Sequence, residues 1–115
     1  MSRDVVVLVP RMPDVASVAR ALAAVAPDLL VDASGAAGVT RLYASPDRPL
    51  LTIEEPILVA VPGEVARLLD EEVASRVTTP VWWLELRTTG PDPELAHRFA
   101  AALVEHLGGA WWPPR

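Results

Sequence analysis

Apolar residues recur along this chain in two rhythms, and the switches between them predict the elements. Asp4 to Val9, DVVVLV, is a β-branched run ended by Pro10 and predicts a first strand. Its two faces are both apolar, Val5, Val7 and Val9 on one and Val6 and Leu8 on the other, which predicts a central strand covered on both sides. The period then lengthens. Val15, Val18, Ala19, Leu22 and Val25 fall at helical spacing, with Asp14 placed to cap the helix and Pro27 to stop it. Leu29 to Ala33 predicts a second short strand, and Val39 to Ser45 with Leu50 to Glu54 predicts two more around the turn SPDRP. Pro56 interrupts before another strand with two apolar faces, Ile57 to Val61. A helix opens at Pro62 or Gly63. Val65, Leu68, Leu69 and Val73 form its stripe, and Glu72 with Arg76 makes an i,i+4 pair on its flank.

The segment Pro80 to Trp112 is the most sharply patterned. In Val81 to Arg87, alternation puts Trp82, Leu84 and Leu86 on a core face and Trp83, Glu85 and Arg87 on the other. After TTGP, Asp92 can cap a third helix that starts with Pro93 and Glu94 and carries Leu95, Ala96, Phe99, Ala100, Leu103 and Leu107 as its stripe. Gly108 and Gly109 end that helix, and Ala110 to Trp112 continues extended until Pro113 and Pro114. The order is β-α-β-β-β-β-α-β-α-β.

That order predicts a single α+β domain spanning residues 1–115, a two-layer sandwich of a mostly antiparallel sheet and three helices. From Asp4 to Arg87 it can be laid out as βαββαβ with one hairpin as an elaboration, which resembles the ferredoxin-like split-βαβ arrangement. The resemblance concerns topology and implies no activity, because that fold carries many unrelated functions.

Composition narrows the functions. With 51% hydrophobic residues in 115, the chain can bury a core without staples. The absence of cysteine removes disulfides, thiolate nucleophiles and cysteine metal sites, and accords with a cytoplasmic protein. No apolar run is long enough for a signal-peptide core or a membrane span, so no membrane partner is expected. The net charge is −5, there is no lysine, and the ten arginines are scattered singly, so no basic stripe exists to neutralise phosphates and nucleic acid is not an expected partner.

Motifs for catalysis and cofactors are also missing. Gly35 to Gly38 has the spacing of a short phosphate loop, but without a following Lys-Ser or Lys-Thr it reads better as a hairpin connection. The acidic run Asp70, Glu71, Glu72 has no histidine at a metal-binding offset and reads as solvated helix surface. His97 and His106 lie about 180° apart on one helix at ~100° per residue, which points to surface and capping roles. Glu54–Glu55 and Glu71–Glu72 diverge rather than converge on one bond, and no serine sits in a nucleophile elbow. No catalytic residue, cofactor or metal is expected.

The tryptophans supply the positive signal. They occur as two adjacent pairs, Trp82–Trp83 and Trp111–Trp112, so one of each pair must face away from the helix-packed side. Trp83 with Trp111 or Trp112, flanked by Glu85 and Arg87, predicts an apolar patch on the second sheet face. The patch has two readings: an interface, or a minicore closed by the C-terminal WWPP. The sequence therefore predicts a non-enzymatic protein-interaction domain (a regulator, adaptor or immunity-type binding protein), a homodimer through this face that also binds an unidentified protein. The alternative is a small-molecule sensor with a pocket lined by these tryptophans and Arg87, and with Arg41 as a further polar anchor.

Overall fold

Seven strands and four helices form from residues 4–32 and 39–113, the part of the chain described in the computed structural model. In chain order they are β1 (Asp4–Val9), α1 (Val15–Val25), β2 (Leu30–Asp32), β3 (Thr40–Ser45), β4 (Arg48–Ile53), β5 (Ile57–Val59), α2 (Glu64–Leu68), α3 (Glu71–Ala74), β6 (Val81–Thr88), α4 (Glu94–Leu107) and β7 (Ala110–Trp112). The Gly35–Gly38 segment lies outside the described residues.

The sheet runs β2-β3-β4-β6-β1-β7, and every neighbouring pair is antiparallel. β5 also pairs with β6. Because β1 occupies the opposite edge of β6 at Trp82 and Trp83, β4 and β5 lie end to end along the same edge. Pro56, without a backbone N–H, falls at the break between them. β6 and β7 are joined through α4 and flank β1, which lies between them.

α1 and α4 pack together on one face of the sheet. The core there is Val5, Val7 and Val9 of β1, Leu84 and Leu86 of β6, Leu42, Leu51 and Ile53 of the hairpin, and Phe99 and Leu103 of α4. Alternation along β1 and β6 sends these side chains inward, as the sequence pattern requires. The expected cap of α1 forms, and α4 begins one residue later than expected. Asp14 Oδ1 accepts from the Ser17 N–H at 2.7 Å; at α4 the N-cap position is Pro93, with no side-chain cap bond, and Asp92 just before it accepts from the Glu94 N–H at 3.0 Å. Gly109 adopts φ +100, and a Cβ there would collide with the Leu8 carbonyl oxygen, so only glycine lets β7 approach β1 this closely.

Two expectations need correction. The helix predicted from residue 63 onward is two helices, so the described residues hold four helices rather than three. Asp70 is the cause: its Oδ1 accepts from the Val73 N–H at 2.8 Å and starts α3 afresh. Its Oδ2 accepts from Trp112 Nε1 at 2.9 Å, so this residue is an internal tether and only Glu71 and Glu72 are solvated surface. The second correction concerns layering. α2 and α3 cover part of the opposite sheet face, where Val6, Leu8, Val65, Val73, Val81 and Ala110 form a separate core with Trp83 and Trp112 packed against it. The sheet carries helices on both faces instead of forming a simple two-layer sandwich.

Candidate functional site

α1 was expected to bury Val15, Val18, Ala19, Leu22 and Val25. Of these it buries Leu22, with Val18 and Val25 partly buried against the core, and it also buries Ser17 and Ala21, while Val15 remains 84% exposed and Ala19 is also exposed. The main tertiary contact of α1 is with α4, whose buried set includes the small residues Ala96 and Ala100. Helices come closest where contacting side chains are small. α1 therefore leans on α4 and turns its larger aliphatic stripe toward the hairpin half of the sheet.

The result is a cleft of about 450 Å³ between α1 and the sheet. Val15, Val18, Ala19 and Leu22 form its wall. Val31, Thr40, Ile53 and Leu84 form its floor; they come from four different strands, and the pairing register puts them on the same face. Met12 and Pro13 stand at one lip and Glu54, Glu55 and Pro56 at the other. The volume lies within the range of small-molecule sites, about 300–1,000 Å³, and an apolar lining with a few polar groups is typical of them.

Electrostatically, the cleft has one sign. Asp14, Glu54 and Glu55 line it, and among the described residues no arginine or histidine does. The Ser17 backbone N–H holds the Asp14 carboxyl below its usual range, and the Arg20 charge acts the same way, so Asp14 is ionised at neutral pH.

The residues singled out by sequence are placed as follows. Trp83, Glu85 and Arg87 share one face of β6, and Trp112 shares it too; Trp82 and Trp111 lie on the α1–α4 side. Trp83 sits in register between Ile57 and Leu8 and packs on the second core. Arg87 lies beyond Glu85, where Nε is 3.5 Å from Asp4 Oδ1. Arg41 is on the same face, opposite Thr52, which is itself opposite Arg87. The structure thus brings Arg41 and Arg87 within two strands of each other but not into a pocket with the tryptophans. The crevice beside Trp111 and Trp112 is about 20 Å³, room for roughly one water, and Arg87 does not line it.

Both ring nitrogens of His97 are buried without a hydrogen-bond partner, with Glu94 Oε2 3.9 Å from Nδ1, whereas His106 is exposed. Among the described residues no three acidic or histidine side chains are grouped to hold a metal ion, and no helix is long and apolar enough to cross a membrane. The sequence pattern hides the α1 cleft because its wall looks like an ordinary core stripe; a signal is present in Ser17 and Ala21, a second, smaller-residue stripe one turn apart. Comparison with known proteins adds no assignment: no family model, no curated protein and no solved structure matches this chain.

Proposed function

We propose that this chain is a non-enzymatic binding domain that takes an aliphatic group into the α1 cleft. The observation that supports it is that Val15, Val18, Ala19 and Leu22 of α1 line one aliphatic cleft together with Ile53 and Leu84, with Val15 84% exposed. Exposed apolar surface of this kind is costly in water, at roughly 25 cal/mol per Å², and a ligand that covers it regains that free energy. The reading keeps the small-molecule alternative drawn from sequence and moves its pocket from the tryptophans to α1. A cytoplasmic setting accords with the cysteine-free sequence. The strand order β7-β1-β6-β4, with α1 and α4 on one face, supports reading the scaffold as ferredoxin-like, with the β2–β3 hairpin and the α2–α3 pair as additions.

The test is amide chemical-shift mapping with 1-octanol. Saturable shifts confined to α1, the end of β4 and Leu84 are expected, and Ala19→Trp, which fills the cleft from an exposed helix position, should abolish them. Shifts that never saturate, or that survive Ala19→Trp, would remove the proposal.

A second reading, the protein-interaction domain that self-associates through its sheet face, is favoured by one observation. Ile57, 58% exposed, lies on the short strand β5 directly opposite Trp83. Sedimentation equilibrium on wild type and Trp83→Ala tests it: a dimer that the substitution dissociates supports this reading, and a monomer at every concentration counts against it.

A further inference from the structure

The polar groups at the mouth of the cleft narrow its ligand further. Glu54 is half-buried and Glu55 exposed, at consecutive positions after β4, and both line the cleft with Asp14 across from them. Asp14 is already committed to capping α1 through the Ser17 N–H. The Glu54 backbone N–H is used as well, donating to the Glu85 carbonyl at 2.9 Å and so fixing the strand end at the lip. Among the described residues the carboxylates of Glu54 and Glu55 have no basic partner, whereas Glu64, Glu72 and Asp92 each pair with an arginine three to six residues away. A half-buried carboxylate beside an aliphatic wall favours a cation over a neutral or anionic group.

Resting on the reading of the α1 cleft as the binding site, we propose that its ligands are aliphatic amines. The hydrocarbon chain lies between Val18 and Ile53, and the ammonium group sits at the Glu54–Glu55 lip. The wall is aliphatic throughout, with no aromatic face to stack a planar ring, so the chain rather than a ring system supplies the contact. Each added methylene that enters the cleft strengthens binding about fourfold until the space is filled. The ammonium adds about fivefold over an uncharged head, an advantage that added salt reduces because the lip is partly exposed.

Isothermal titration of the full chain with octylammonium, 1-octanol and octyl sulfate, all below their aggregation concentrations, tests this. One-to-one binding in the order octylammonium, octanol, octyl sulfate is expected. Glu54→Gln combined with Glu55→Gln should bring octylammonium down to the affinity of octanol while leaving octanol unchanged, and Ala19→Trp should abolish all three. Equal affinities for octylammonium and octanol, both lost in Ala19→Trp, would overturn the amine assignment and leave the cleft as an aliphatic site. No binding of any of the three to the wild-type chain would overturn the cleft reading itself. Far-ultraviolet circular dichroism at each end point separates site binding from unfolding by the ligand.

Discussion

Replacing Asp70 with alanine should destabilise the domain more than any other exposed-looking acid in the chain. Its carboxylate holds two bonds from different parts of the sequence, the Val73 N–H at 2.8 Å and Trp112 Nε1 at 2.9 Å. Loss of an N-cap costs about 1 kcal/mol, within a range of roughly 0.5–2. A partly buried indole N–H left without its acceptor costs about another 1 kcal/mol. Asp70→Ala should therefore lower the unfolding free energy by about 2 kcal/mol. The neighbouring Glu71→Ala, exposed and without a side-chain bond of its own among those found, should stay within about 0.5 kcal/mol. Urea denaturation followed by tryptophan fluorescence reads both, and the slope should not change. A cycle with Trp112→Phe separates the two parts: about 1 kcal/mol of the Asp70 effect should disappear when the indole N–H is already gone. A loss below about 0.5 kcal/mol for Asp70→Ala, or a cycle with no coupling, would refute the claim that this residue ties β7 to the start of α3.

Three further outcomes follow from the same geometry. Gly109→Ala should lower stability by about 2 kcal/mol or more, because φ +100 and the Leu8 carbonyl both reject a Cβ; an unchanged thermal midpoint would show that β7 can shift away at no cost. Acid should weaken the fold through Asp14 and Asp92, whose pKa values are lowered by the Ser17 N–H and by Arg98 respectively. Depressed folded-state values mean that this stabilisation is present above the unfolded value, 3.8, and is lost as pH falls through the folded one. Asp92→Asn should flatten part of the acid limb of the urea midpoint, and an identical limb would count against the Arg98 pairing. Phe99→Ala should cost about 3–5 kcal/mol, since this α4 ring is fully buried in the main core, and retention of most of the wild-type stability by equilibrium unfolding would place it outside the core.

What the chain's pattern determined by itself is local. The alternation in Val81–Arg87, the twofold apolar run of Val5–Val9, the cap at Asp14 and the stop at Gly108–Gly109 all operate within a few residues, and each appears where the pattern puts it. The division of Trp83 from Trp82 follows from the same geometry of adjacent strand residues. What the tertiary structure decided is which of several locally equivalent options prevailed. Val65, Leu68, Leu69 and Val73 fit one helix or two, and Asp70, whose Oδ1 starts α3 afresh, is also held by an indole 42 positions later in the chain. α1 carries both a small-residue stripe and an aliphatic stripe; in the fold, where it packs against α4, far away in sequence, it buries Ser17 and Ala21 with Leu22, while Val15 and Ala19 stay exposed and line a cleft. That cleft also needs Val31, Thr40, Ile53 and Leu84 on one surface, and only strand order and register assemble residues from four separate strands. Periodicity specifies which side chains share a face, and only the packing of distant segments decides what that face will meet.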